Sequence, residues 1–137
     1  GVAPWIYKKK IFKLVKFDDR ITKTIDDTDF MYRLSKIKKF RYGIGKTKII
    51  QDHDPSIYSF VKKFLWYGYG DAEFIKKHPK KIFSILFHQL IRYPLIYSIR
   101  AIFKFKFKSI IYFCLQGYIR FVGLISYLII KNEQNQK

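Results

Sequence analysis

The stretch "TIDDTDFMYRL", residues 24 to 34, sets Asp26, Asp27 and Asp29 within four positions at the start of what reads as a helix. Carboxylates so placed can cap the helix and meet the positive end of its macrodipole, hold a metal, or accept a proton. A cap needs fewer acids than this, and like charges so close repel one another. The cluster therefore predicts something cationic or proton-bearing opposite it. A carboxylate at a helix N-terminus is also suited to stay ionised and take a proton from a sugar hydroxyl.

The surrounding chain limits the choices. Its 137 residues make one domain's worth of chain, with a formal net charge of +18, 49% hydrophobic residues and 20% aromatics. Basic disordered tails are poor in aromatics, so this chain folds or enters a membrane. The charge calls for an anionic partner: nucleic acid, acidic lipid headgroups or a phosphorylated substrate. A single cysteine, Cys114, excludes an intrachain disulfide and a cysteine-based zinc site. The opening "GVAPW" lacks a methionine and a signal-peptide pattern, which suggests a fragment or processed product.

Nine of the ten acids lie between Asp18 and Glu73, which divides the chain into two halves. The first reads as mixed helix and strand. "YKKKIFKLV" has Ile11, Phe12 and Val15 at helical spacing, and Phe30, Leu34 and Ile37 repeat along a helix opening near Asp26. "RYGIGKTKIIQ" predicts a glycine turn into a short strand over residues 48–51. "DHDPSIYSFVKKFLWYGYG" predicts a helix with Asp54 as N-cap and Pro55 at its first position, ended by Gly68 and Gly70.

From Ile82 to Ile130 the chain is apolar, punctuated by bases, His88, glutamines and small residues. Lys81, Ser84, His88 and Arg92 share a helical face, the form of a helix lying in a membrane interface. "FKFKFK" at 103–108 predicts a basic crossing at the surface, where Arg92, Arg100, Lys104, Lys106 and Lys108 would contact anionic lipid. "SIIYFCLQGYIRFVGLISYLII" is long enough to span a bilayer, but Arg120 within it would cost roughly 2.5 to 3.5 kcal/mol facing lipid. Tyr112, Gln116, Arg120, Gly123 and Tyr127 fall on one face, so the helix either packs on another helix, lies in the interface or spans.

The order "FDDR…IDDTDFMYRLSK…KIIQDHDPSIYSFVKKFLWYGYGDAEFIKKHP" resembles the carboxyl-terminal half of family-2 glycosyltransferases, over about residues 1 to 80. The resemblance implies an α/β fold, the acceptor-side half of an inverting GT-A domain, followed from 81 to 137 by a basic, membrane-associated helical tail. It implies transfer from a nucleotide-sugar donor to a lipid-linked or glycan acceptor. Asp27 matches the family's catalytic base, and Asp26 the preceding acid that holds the acceptor or orients the base. His53 falls in a turn where the family places a histidine near a divalent metal, magnesium or manganese, although as a loop residue between Asp52 and Asp54 it has an equally plain structural reading. Trp66, Tyr67 and Tyr69 either stack on acceptor or pack.

The family's nucleotide-binding half and its Asp-x-Asp motif have no counterpart before Tyr7, so most metal ligands are expected outside this chain, and the chain alone is expected to be inactive. "DTD" and "DHD" have the Asp-x-Asp spelling but sit at the base and in the histidine turn. The processive pattern Gln-x-x-Arg-Trp is missing, which implies one sugar per encounter. Nucleic-acid binding is disfavoured, since the bases interleave with apolar runs and no nucleic-acid motif appears. The expectation is a transferase on the cytoplasmic face of a membrane; the alternative is a non-enzymatic basic protein of the membrane surface.

Overall fold

The computed structural model describes residues 7–21, 24–37, 43 and 56–134. Among these residues every regular element is a helix and none is a strand, which overturns the expected α/β GT-A domain. A strand needs a second strand to satisfy its backbone, whereas each described helix closes its backbone hydrogen bonds within itself. The strand expected over residues 48–51 lies outside the described residues, as do Asp54 and Pro55.

The amino-terminal layer is small. A 3₁₀ turn, Lys9–Lys13, replaces the expected helix. It lays Val15 against Phe30 and Leu34 of α1 (Asp26–Ser35), with Tyr7, Ile11, Met31 and Ile37 around them. Phe17 stacks on Phe30 with ring centroids 4.6 Å apart. The α1 start falls where the sequence placed it, but its N-cap is Ile25, at φ 76° with no side-chain cap bond. A β-branched residue in this left-handed region costs on the order of 1 to 3 kcal/mol, so burial of the Ile25 side chain must hold it there.

α2 spans Ile57–Lys77, with Ser56 as N-cap accepting from the Ser59 amide at 3.2 Å. Gly68 and Gly70 do not end it, contrary to the expectation from sequence; they let neighbours approach. A Cβ on Gly68 would sit 2.2 Å from the Arg120 carbonyl oxygen, and one on Gly70 would sit 2.5 Å from the Thr24 methyl. Here the glycines serve close packing, and the helix tolerates their conformational cost.

Beyond a 3₁₀ turn at Pro79–Lys81, α3 (Ile82–Phe87), a π-helical segment (His88–Tyr97) and α4 (Ser98–Phe103) run on as one rod. Pro94 lies in the wide segment, where it has no amide to donate and its ring would crowd an ordinary helical turn. The basic crossing predicted at 103–108 is a tight reversal with Phe105 at φ 53°, leading into α5 (Phe107–Gln134).

Contacts of Phe60 with Tyr112, Asp71 with Arg120 and Glu73 with Tyr127 rise together along both helices, so α2 and α5 run parallel. The rod returns antiparallel to both and packs along α5, with Ser98 near Cys114 and Gln89 against Gly117. Of the face Tyr112, Gln116, Arg120, Gly123 and Tyr127, for which spacing left packing, the interface and spanning open, Tyr112, Arg120, Gly123 and Tyr127 meet α2, with Ala72, Ile75 and Leu124 at the core. Backbones brought together at glycines are the usual packing of helices in lipid. Pro79–Phe103 and Phe107–Lys131 are each long and apolar enough to cross a membrane. Their outer faces expose Phe83, Phe87, Leu95, Ile99, Ile111 and Leu115, surface suited to lipid.

Candidate functional site

The three aspartates of α1 have three different environments. Asp29 is fully buried, and its Oδ2 accepts from Arg33 Nε and Lys77 Nζ, both at 2.8 Å. Its Oδ1 lies 2.6 Å from His78 Nε2. Burial opposes the charged form of Asp29, but the bonds from Lys77, His78 and Arg33 outweigh it and hold the carboxyl below its ordinary pKa. Lys77 and Arg33 are the cations the cluster predicted. Lys77 also reaches Asp18 Oδ2 at 2.5 Å, while Arg20 holds the same carboxylate. Arg20, then Lys77, depress the Asp18 pKa far below the usual range. Asp29 thus fastens α1 and the amino-terminal layer to the end of α2.

Asp26 is exposed and Asp27 half-buried at the positive end of α1. Asp27 Oδ1 accepts from the Thr28 amide at 2.7 Å, and Asp27 makes no ion pair among the described residues. Its charge is felt at two phenols. Burial chiefly raises the pKa of Tyr7 and Tyr67, and Asp27 adds to both shifts. Asp27 is therefore the carboxylate of the cluster that is partly shielded yet uncommitted.

Next to it opens a cleft of about 370 Å³ between α1 and the rod. Ile25, Thr28 and Tyr32 form one wall, with Lys81, His88 and Gln89 opposite. The face of Lys81, Ser84 and His88, expected to meet headgroups directly, lines this cleft instead, and Arg92 is exposed with its Nη1 3.4 Å from His88 Nδ1. The floor is the Asp71–Arg120 pair, bound through both carboxylate oxygens, with Gln89 Nε2 donating to Asp71 Oδ2 at 2.7 Å. Arg120 is not in lipid: a buried acid on α2 compensates it.

The aromatic candidates divide. Trp66 is 44% exposed and stacks on Tyr67, while Tyr69 packs on Tyr127. All three line a second groove of about 760 Å³ along α2, with Tyr58 and Lys62. Asp27 adds to the upward shift of the Tyr67 phenol, after burial. Arg92, Arg100, Lys104, Lys106 and Lys108 are all exposed along the rod and its tip, apart from the cleft lining. His53 lies outside the described residues, among which no group of three or more histidine, cysteine or acidic side chains is placed to hold a metal. The described residues therefore do not supply the divalent site that the resemblance implies.

Asp71, Gln89 and Lys77 were not singled out from sequence. The signal for Asp71 was present in Arg120 itself, a base in an apolar helix that needed an acid somewhere. Comparison with known proteins found no matching family model, no matching curated protein and no matching solved structure.

Proposed function

We propose that this chain supplies the acceptor-side, membrane-bound part of an inverting glycosyltransferase, with Asp27 as the base that deprotonates an acceptor hydroxyl. The observation that carries the reading is the contrast within one helical turn. Asp29 is saturated by three basic groups, whereas Asp27 is half-buried, free of ion pairs among the described residues and one residue from a cleft.

A base must be accessible to the hydroxyl it serves, and Asp27 is only half-buried at the helix N-terminus. Deprotonated oxygen would attack the anomeric carbon of a nucleotide sugar bound by a separate nucleotide-binding part, the nucleoside diphosphate leaving from the opposite face. In this reading Tyr67 and Trp66 would flank the acceptor and Asp26 would orient it. The exposed apolar rod and α5 would hold this site at the cytoplasmic face of a membrane, where a lipid-linked acceptor is confined to two dimensions.

In the complete enzyme, Asp27→Asn is expected to abolish transfer and leave donor binding near normal; retained transfer would remove the assignment. A second reading is favoured by Asp29 itself, since one of the three acids now has a wholly structural role. In that reading the chain is a non-enzymatic basic protein of the membrane surface, and Asp26 and Asp27 can be neutralised without loss of any activity.

A further inference from the structure

Pro79–Phe103 and Phe107–Lys131 have the length of membrane-crossing helices, yet α2 constrains how they can sit. Phe60 meets Tyr112, Asp71 holds Arg120 and Glu73 accepts from Tyr127, so α2 lies along most of α5. If α5 crossed a bilayer, α2 would cross with it, and its two ends, about 30 Å apart, would lie on opposite faces. α1 is fixed at one of these ends, with Asp29 on Lys77 and His78 and Tyr32 against Phe74 and His78. Residues 38–55, which lead from α1 to the other end, contain Lys38, Lys39, Arg41, Lys46 and Lys48. Hydrocarbon does not admit such a stretch, so both ends of α2 belong on one side of a membrane.

The outer faces of the rod and α5 fit a membrane lying alongside them. On the rod, Phe83, Phe87, Ile91, Leu95, Ile99 and Phe103 recur every four residues, each at least 38% exposed and none charged. In an ordinary α-helix each such step gains about 40°, and five steps would wind the row about 200° round the rod. The wider turns of the π-helical segment His88–Tyr97 lag instead, which keeps the row on one side. Arg92, Arg100 and Lys104 each directly follow a member of the row, at its edge, where long side chains reach headgroups. On α5, Ile111, Leu115, Tyr118, Ile125 and Ile129 form a second exposed row. Their spacing puts them on the side away from Arg120, Gly123 and Tyr127, which meet α2. No acid lies between Glu73 and Glu133 to repel anionic headgroups.

We infer that the rod and α5 lie along one anionic leaflet without crossing it, the two rows in its acyl boundary and α2 and α1 on the water side. The inference deepens the membrane attachment of the proposed function and rests on it, but not on sugar transfer. It also moves the lipid contact expected from sequence: Lys81, Ser84 and His88 line the cleft, and the apolar row takes the lipid instead.

The test uses the full chain in sealed phosphatidylcholine vesicles containing phosphatidylglycerol, as Cys114→Ser with Lys106→Cys at the tip and Lys131→Cys at the far end of α5. A membrane-impermeant maleimide is added outside, and labels per molecule are counted by mass spectrometry. Docking along a leaflet gives molecules with two labels or none, whichever leaflet they occupy, and detergent restores two labels to every molecule. One label per molecule would mean that α5 crosses, overturning the inference while leaving the attachment in place. Failure of the chain to float with the vesicles would overturn the attachment as well. Neither result depends on whether Asp27 acts as a base. The lipid-facing side is read from flotation of two further variants. Leu95→Ser/Leu115→Ser takes one residue from each row and should weaken partition about tenfold or more. Tyr58→Ser/Trp66→Ser, on the exposed side of α2, should leave it nearly unchanged. Equal weakening by the two would overturn the assignment of the rows to lipid.

Discussion

Asp71 on α2 grips the guanidinium of Arg120 on α5 through both carboxylate oxygens, Arg120 Nη2 lying 2.7 Å from Asp71 Oδ1. The side chains are 18% and 2% exposed for Arg120 and Asp71, so breaking the pair leaves a charge with little water to solvate it. Arg120→Leu or Asp71→Leu alone is expected to destabilise the bundle by about 3 to 5 kcal/mol. The paired change Asp71→Leu/Arg120→Met should recover most of that loss. Thermal unfolding of the four proteins in one detergent checks this; a double variant as unstable as the singles would mean the pair is not the packing element described.

Substitution should separate the two half-helical neighbours Asp27 and Asp29 by stability as well as by activity. Asp29→Asn leaves Arg33, Lys77 and His78 around a neutral group and is expected to cost about 3 kcal/mol or more. Asp27→Asn removes only a helix-end charge, worth about 0.3 to 1 kcal/mol. Denaturant midpoints measured on the same day would reverse the roles assigned here if Asp27→Asn proved the more damaging.

Acid should unfold the amino-terminal layer first. The pKa values of Asp18 and Asp29 are depressed in the folded chain, so the stability they contribute is fully present above the unfolded carboxylate pKa of about 4 and is lost as pH falls further. Near-ultraviolet circular dichroism from pH 6 to pH 2 should show the loss beginning below about pH 4. In Asp29→Asn the remaining acid dependence should be shallower.

Glycine to alanine changes test the close crossings. A Cβ on Gly117 would fall 2.3 Å from the Gln89 carbonyl oxygen, and one on Gly123 would fall 2.5 Å from that of Leu65. Since backbone must shift in both cases, each change should cost about 1 to 3 kcal/mol, the opposite of the helix-propensity gain expected at an open site. Unchanged or raised melting temperatures for both variants would place the helices further apart than described.

These glycines show where the sequence was hard to read. In "YGYGDAEF" the two glycines look like a helix end, and their purpose appears only once Arg120 and Thr24 are seen against them. The α1 boundary, by contrast, was legible from local pattern, because Phe30 and Leu34 repeat at helical spacing and the acids mark the first turn. The cost of Arg120 could be read from its apolar surroundings, but its partner lies 49 positions away and no local rule names it. The expected α/β fold came from resemblance in residue order, and the part of the chain on which its strand depended lies outside the described residues. Likewise the cluster's need for a cation was plain, while its division into a bound Asp29 and an uncommitted Asp27 depended on where Lys77 and His78 fall at the end of α2.

With 28 basic residues and only ten acidic ones, this chain makes each buried acid a register mark. Long apolar helices can slide on one another at little cost, because one turn of leucine and isoleucine resembles the next. A one-turn slip of α5 along α2 would bring Gln116 or Leu124 opposite Asp71, strand Arg120 and push side chains into the space kept by Gly68 and Gly123. Lysines are too numerous here to specify an alignment, since any of them could satisfy a nearby carboxylate. The scarcity of acids is what makes Asp29 and Asp71 informative: each admits one alignment of its helix, and together they index the amino-terminal layer and α5 against the same ruler, α2.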